Sequence, residues 1–215
     1  DSANGGAGNV HAASLGDIFL TEISGDLSLG IVQNTNARVF LTGPASILNG
    51  IGLASGYNVN AGALAFTAGA AADSNFGSGT APILTQISRL AGTAGGSVWL
   101  ENSGALTIGQ IPGDGSEINA GGDIRLTAHS PITLEGHLHS GGSQIIRAMD
   151  KAAAGDDITI LTNAVITAGV DIIMLAGDRI DLQAGSSITA GNELVLFGDY
   201  TGGGTGSGDY DAAQD

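Results

Sequence analysis

The sequence predicts an all-β fold, a right-handed parallel β-helix (β-solenoid) built from short stacked strands. One observation is a strand pattern that recurs every 22 residues in the C-terminal third of the chain. A second is the alternation of apolar residues inside each repeat, as expected for strands with one buried face. A third is the composition: 37 of the 215 residues are Gly, only 4 are Pro and 42% are hydrophobic. Ordered, turn-rich β structure explains this combination better than disorder does.

The 22-residue repeat is clearest where residues 156–177 are aligned with residues 178–199. The aligned apolar pairs are Ile158 with Ile180, Ile160 with Leu182, Ile166 with Ile188, Ile172 with Leu194 and Met174 with Leu196. A single repeat of this length cannot bury its apolar face alone, whereas stacked repeats bury it and extend the backbone ladder. A seven-stranded β-sandwich is the alternative, but it does not require side chains to recur at a fixed offset. We therefore favour the solenoid.

Weaker repeats extend toward the N terminus. Residues 123–126 resemble residues 171–174 at an offset of 48, which is two repeats plus four further residues. We place those extra residues within 141–156. A longer echo relates residues 16–30 to residues 96–109, at an offset of 80 that becomes 79. The sequence thus predicts a solenoid that is interrupted by insertions and overlaid by a longer repeating unit.

The domain organisation follows from these repeats. We predict one solenoid domain over residues 1–200, with insertions at about 50–95 and 141–156. Residues 201–215 are rich in Gly and Asp, and we predict a flexible tail or a truncated next repeat there. We interpret the chain as a mature product or an excised piece of a longer protein.

A short amphipathic helix is predicted near residues 80–91, lying against the solenoid as a side cover. Thr80 is placed as its N-cap, Pro82 in its first turn and Gly92 just after its end. The apolar side chains on its predicted buried face are Ile83, Leu84, Ile87, Leu90 and Ala91.

Charge and cysteine content exclude several classes of function. The formal net charge is −15, from 6 basic and 21 acidic residues. Nucleic-acid binding is not expected, since it needs a basic footprint, and neither is docking on anionic membranes. No apolar run is long enough to span a membrane, so we expect no direct membrane insertion. The absence of Cys excludes disulfides, thiolate nucleophiles and thiolate metal ligands.

An acidic column is the most suggestive candidate site. At the 22-residue offset Asp156 lies under Asp178, and Asp199 ends the next strand one place short of that column. Carboxylates on neighbouring turns would be about 4.8 Å apart and would repel one another unless neutralised. Calcium, which takes six to eight oxygen ligands, would suit such a column, so these three residues are a candidate calcium site. The alternative is a set of exposed turn residues that bind no metal. Their mutual repulsion would be partly offset by the pairing of Asp157 with Arg179 one turn above it.

Histidine and aromatic residues give two weaker candidates. His137 and His139 share one face of a strand, as metal ligands would, but solvent-facing histidines explain them without a metal. Trp99 and Phe19 hold the same place in the longer echo, each between two apolar residues. Because neighbouring residues of a strand face opposite sides, both rings should point outward. Trp99 is expected to pack under the predicted helix or to contact a partner, and Phe19 is the matching interaction candidate.

Catalytic motifs are lacking. The sequence has no G-x-S-x-G elbow, no P-loop and no H-E-x-x-H motif. Some parallel β-helices cleave polysaccharides, but such sites need basic residues near a cleft or a carboxylate pair at a defined separation. The single lysine, Lys151, and five scattered arginines do not suggest such a site. We therefore expect no enzymatic activity, and a carbohydrate-binding or polysaccharide-degrading module is the alternative reading.

Several strings in the sequence resemble a known family. Residues 16–22, 176–182 and 197–200 are similar to the repeats of filamentous-haemagglutinin-like adhesins and of very large repetitive bacterial surface exoproteins. The resemblance covers roughly residues 15–200. It implies a right-handed parallel β-helix at the cell surface or in the extracellular matrix, with a role in adhesion, biofilm building or fibre formation. The expected partners are further copies, neighbouring repeats of a longer chain, glycans or another cell surface.

Overall fold

A computed structural model describes residues 8–34, 36–53, 56–113, 117–149, 151 and 155–200. These residues form strands and turns only, and none of them is helical. The strands are β1 (Val10–Ser14), β2 (Ile18–Thr21), β3 (Leu27–Asn34), β4 (Arg38–Thr42), β5 (Ile47–Asn49), β6 (Val59–Asn60), β7 (Ala63–Thr67), β8 (Ile83–Gln86), β9 (Arg89–Ala94), β10 (Val98–Asn102), β11 (Leu106–Ile108), β12 (Ile118–Ala120), β13 (Ile124–Ala128), β14 (Ile132–Leu134), β15 (His137–Ser140), β16 (Gln144–Ala148), β17 (Ile158–Ile160), β18 (Val165–Ala168), β19 (Ile172–Ala176), β20 (Ile180–Leu182), β21 (Ser187–Ala190) and β22 (Leu194–Phe197).

The strands stack into a parallel β-solenoid of about seven turns. A ten-stranded sheet has the order β1-β3-β6-β8-β10-β13-β16-β19-β22, with β5 also paired to β3. A twelve-stranded sheet supplies the remaining strands. Neighbours within a sheet come from successive turns, and every strand pair within the described part of the chain is parallel. The predicted β-solenoid is thereby confirmed.

The twelve-stranded sheet forks at β9. Before the fork β2, β4, β7 and β9 stack as single strands. The N-terminal part of β9 pairs with β11, and its C-terminal part pairs with β12. From there two branches run side by side, β11-β14-β17-β20 and β12-β15-β18-β21. Each turn therefore contributes one strand to this sheet before the fork and two strands after it.

The strand register confirms the 22-residue repeat. Ile158 pairs with Ile180, Ile166 with Ile188 and Ile172 with Leu194. The offset of 48 is also structural, because Ile124 pairs with Gln144 and Gln144 pairs in turn with Ile172.

The connection between β16 and β17 overlaps the 141–156 interval, where we predict the extra residues of the 48-residue offset. This connection, residues 149–157, is longer than the three-residue connection between β19 and β20. The longer echo has a different outcome. The first of its two segments begins with β2 of the twelve-stranded sheet, and the second begins with β10 of the ten-stranded sheet. The two segments therefore do not hold equivalent places in the solenoid.

The predicted helix near 80–91 is wrong. That segment contains β8 and the first part of β9, which run in parallel ladders with their neighbours. Its buried residues alternate as Ile83, Thr85 and Ile87 before a corner. The helical spacing was misleading because the middle inward residue is polar. Thr85 is tolerated inside because its hydroxyl donates to Asn102 Oδ1 at 2.9 Å.

Two excursions interrupt the ten-stranded sheet in the N-terminal half. Residues 50–58 separate β5 from β6, which pair with the two ends of the single long strand β3. Residues 77–82 separate Phe76, bridged to Val98, from β8. The predicted domain limits at 1–200 stay a prediction, and the predicted tail at 201–215 lies outside the described residues.

The core is a continuous apolar column enclosed by the sheets. Its residues are mainly Ile, Leu, Val and Ala, with Phe66 and Phe76 stacked at 3.9 Å between ring centroids. At the end of β10 a buried polar corner interrupts it. The Asn102 side chain accepts from the backbone N–H of Ile87 and donates to the carbonyls of Ile87 and Gly104. On the following turns the same place is taken by Ala.

A column of glycines forms another corner, where the second branch meets the ten-stranded sheet. The column comprises Gly95, Gly121, Gly141, Gly169 and Gly191. A Cβ at Gly169 would lie 2.1 Å from the carbonyl oxygen of Gly141, and one at Gly141 would lie 2.2 Å from that of Gly121. These separations are well inside van der Waals contact, so the turns approach closely only without side chains here.

Candidate functional site

The acidic column holds the backbone of an inserted connection in place. The carboxylate of Asp178 accepts hydrogen bonds from the backbone N–H groups of Gly155 and Asp156, the second at 2.9 Å. Asp156 is buried, and its carboxylate accepts the backbone N–H of Lys151 at 2.6 Å. Two carboxylates from successive turns thus hold the backbone at Lys151, Gly155 and Asp156 through hydrogen bonds, which relieve the expected repulsion in part.

Asp199 takes a different role from the other two members of the column. It is exposed, adopts a positive φ of 54° and donates its backbone N–H to the carbonyl of Asp178 at 2.7 Å. Among the described residues, no group of three or more His, Asp or Glu side chains is arranged to hold a metal ion. Calcium binding by Asp156, Asp178 and Asp199 therefore stays a prediction.

Asp157 and Arg179 form the expected pair. Arg179 Nε lies 3.4 Å from Asp157 Oδ2, and its backbone N–H donates to Asp157 Oδ1 at 3.3 Å. Charge is thus partly balanced beside the acidic column.

His137 and His139 are both exposed, as solvent-facing histidines should be. His139 Nδ1 lies 2.8 Å from Thr167 Oγ1. His137 Nδ1 lies 4.0 Å from a carboxylate oxygen of Glu117.

Phe19 faces outward on the first strand of the twelve-stranded sheet. Its side chain is 69% exposed, and its ring stacks on Phe40 with 4.7 Å between centroids. Arg38 lies over the Phe40 ring, forms an ion pair with Asp17 and donates to the carbonyl of Pro112. The hydrogen bond from the Arg38 side chain holds the pKa of Asp17 below its usual range.

Trp99 also faces outward, between the buried residues Val98 and Leu100. Its indole lies against the 77–82 excursion, since a Cβ on Gly79 would be 3.6 Å from Trp99 Nε1. Trp99 and Phe19 lie in different sheets and are not brought together. The predicted packing of Trp99 beneath a helix is replaced by packing beneath a non-helical excursion.

The C-terminal turn exposes core positions that are buried in every turn beneath it. Leu182, Leu194 and Leu196 are 47%, 45% and 39% exposed. Their partners one turn earlier are Ile160, Ile172 and Met174, each 0% exposed. In addition, β20, β21 and β22 each pair on one side only within the described chain. Among the described residues, the last turn therefore presents an apolar cross-section and three strand edges that pair on one side only.

Two buried polar residues were not singled out from the sequence. Asn58 is fully buried, and its side chain donates to Asn49 Oδ1 and accepts from the backbone N–H of Leu84. Asn102 closes a corner in a similar way. The available signal is a polar residue at a place that the apolar alternation assigns to the core.

The architecture defines a β-solenoid repeat protein. Comparison with protein-family models gave no match, and comparisons with curated proteins and with solved structures gave none either. The solenoid class therefore rests on the strand pairing itself. Within the described residues, no helix is long and apolar enough to cross a membrane.

Proposed function

We propose that this chain is a structural segment of an extracellular bacterial adhesin, fibre or matrix protein, and that its C-terminal turn receives a further solenoid turn. The observation that carries the proposal is the exposure of Leu182, Leu194 and Leu196 above buried equivalents. Exposed apolar surface and unpaired strand edges favour association, and soluble proteins ordinarily cover or charge them. A further parallel turn would bury the apolar surface and would pair the open backbone N–H and C=O groups of the last strands.

The source of that turn is either a second copy or neighbouring repeats of a longer chain. The ten-stranded sheet is suited to continue from one copy to the next, because β1 begins it and β22 ends it, whereas β20 and β21 together would meet the single strand β2. A contact of this kind repeats by translation and builds an open filament rather than a closed ring. The net charge of −15 keeps such an assembly soluble, and salt screens the repulsion between copies.

The resemblance of residues 16–22, 176–182 and 197–200 to adhesin repeats supports a location at the cell surface or in the matrix. This role requires no catalysis. A carbohydrate-binding module is the second candidate function, favoured by the exposed ring of Phe19.

The proposal is tested by adding one turn. A second copy of residues 178–199, inserted directly after residue 199, continues the 22-residue register. We expect this insertion to raise the free energy of unfolding by about 2 kcal/mol or more, because three half-exposed leucines become buried. Urea denaturation followed by circular dichroism measures the change. A same-length insertion with Leu182, Leu194 and Leu196 replaced by Ser in the new copy is the control.

The result separates the alternatives. Stabilisation with a monomeric native chain supports a stalk within a longer polypeptide, and concentration-dependent rods in negative stain support an end-to-end polymer. No stabilisation by the apolar insertion relative to its Ser control would overturn the proposal.

A further inference from the structure

Two departures from the regular solenoid come together at one place. Described residues from 50–58 and Lys151 from the connection between β16 and β17 border a cleft of about 520 Å³ beside the ten-stranded sheet. Leu53 and Tyr57 come from the excursion, and Lys151 comes from the connection. A regular turn offers only the outer face of a sheet, whereas loops that leave it create concave surfaces and commonly carry binding residues.

A histidine–carboxylate pair lines the cleft. His129 Nε2 lies 2.7 Å from Glu101 Oε1, and both side chains are about two-fifths exposed. Each partner keeps a second polar atom, His129 Nδ1 and Glu101 Oε2. Ser103 and Lys151 also line the cleft. The set thus offers hydrogen-bond donors and acceptors at short spacing.

Leu53, Tyr57 and Leu84 give the cleft an apolar part. Tyr57 is 38% exposed, Leu53 is largely exposed, and Leu84 completes the lining. An aromatic ring beside a few convergent polar groups is the usual composition of a small-molecule site, and the volume lies in the range of such sites.

Both loops are anchored at their bases by buried polar side chains. Asn58 ties the first excursion to Asn49 and to the backbone of β8. Asp156 accepts from the backbone of Lys151, and Asp178 in the next turn accepts from Asp156. Anchoring of this kind holds Tyr57 and Lys151 in place before a ligand arrives and lowers the entropic cost of binding.

We propose that this cleft binds a neutral saccharide. The C–H face of a sugar ring suits the Tyr57 ring, and its hydroxyls suit a mixed set of donors and acceptors. One carboxylate and one ammonium leave the cleft nearly balanced in charge, within a protein of net charge −15. An anionic sugar gains little from such a site and is repelled by the rest of the surface.

The test uses the whole chain and defined probes. Saturation-transfer NMR and calorimetry are run with neutral gluco-, galacto-, manno- and xylo-oligosaccharides, and with an oligogalacturonate as the charged probe. We expect at least one neutral oligosaccharide to bind, and Tyr57→Ala and His129→Ala each to weaken it about tenfold or more. His139→Ala, at an exposed histidine on the other sheet, is the matched control and should leave affinity unchanged.

Three outcomes count against the proposal. These are no binding by any neutral probe at millimolar concentration, binding of the oligogalacturonate alone, and binding that survives both cleft substitutions. Melting curves of each variant, matched to the native chain, show that a loss of affinity is not a loss of fold. The proposal stands independently of the added-turn experiment, which leaves the cleft unchanged.

Discussion

The two halves of this solenoid close their turns by different means. In the N-terminal half, buried asparagines such as Asn58 and Asn102 hydrogen-bond to the backbone at corners and excursions. In the C-terminal half, the place of Asn102 is taken by Ala, and the glycine column brings successive backbones together at another corner. A corner held by a side chain tolerates variable connections. A corner held by backbone contact demands the same small residue in every turn, so sequence repetition is visible where backbones touch.

The largest expected effect breaks the glycine corner. Gly169→Ala places a Cβ 2.1 Å from the carbonyl oxygen of Gly141, so neighbouring turns must separate. We expect a loss of about 3 kcal/mol in the free energy of unfolding, measured by urea denaturation. Gly104→Ala is the control, because a Cβ there meets nothing within 4 Å. An equal loss in both variants would show that backbone approach is not what requires glycine at position 169.

An intermediate effect is expected at the polar corner. Asn102→Ala installs the residue that Ala128 supplies one turn later, and it leaves the backbone N–H of Ile87 without its side-chain acceptor. We expect a loss of about 2 kcal/mol, since an unsatisfied buried donor carries a desolvation cost. Hydrogen exchange should accelerate at Ile87 more than at Ile172. If the free energy of unfolding is unchanged, Ala closes this corner as well as Asn102 does. The proposed difference between the two halves of the solenoid would then be wrong.

The smallest effect concerns acid stability at the N-terminal end. Because pairing with Arg38 lowers the pKa of Asp17 in the folded chain, its stabilising contribution is present above the unfolded pKa of about 3.9. It is lost as the pH falls through the lower folded pKa. Asp17→Asn should therefore reduce the melting temperature slightly at pH 6 and leave it nearly unchanged at the acid end. Asp199→Asn is the comparison at the opposite end, and an identical pH profile for both variants would contradict this account.

The fold could be predicted from the sequence because the 22-residue repeat and the apolar alternation both indicate stacked strands with one buried face. It failed at residues 80–91, where the inward Thr85 hid a strand and the remaining apolar residues matched helical spacing. The longer echo wrongly suggested that its two segments hold equivalent places in the solenoid. Similar short sequences form strands in either sheet, and local composition does not determine which sheet a strand joins. Pairing of Asp157 with Arg179 was predictable from the offset alone. The cleft was not, because its walls come from two insertions about 100 residues apart.

Stacking along one axis also determines how the molecule bears tension. The backbone hydrogen bonds between turns run along that axis, and the strands that begin and end the ten-stranded sheet lie at its opposite ends. A force applied to the termini therefore breaks the hydrogen bonds of the outermost turn first, instead of acting on the bonds of all turns at once. Each released turn of 22 residues lengthens the chain by about 70 Å, so a stretched molecule yields in steps and dissipates force while the inner turns remain folded.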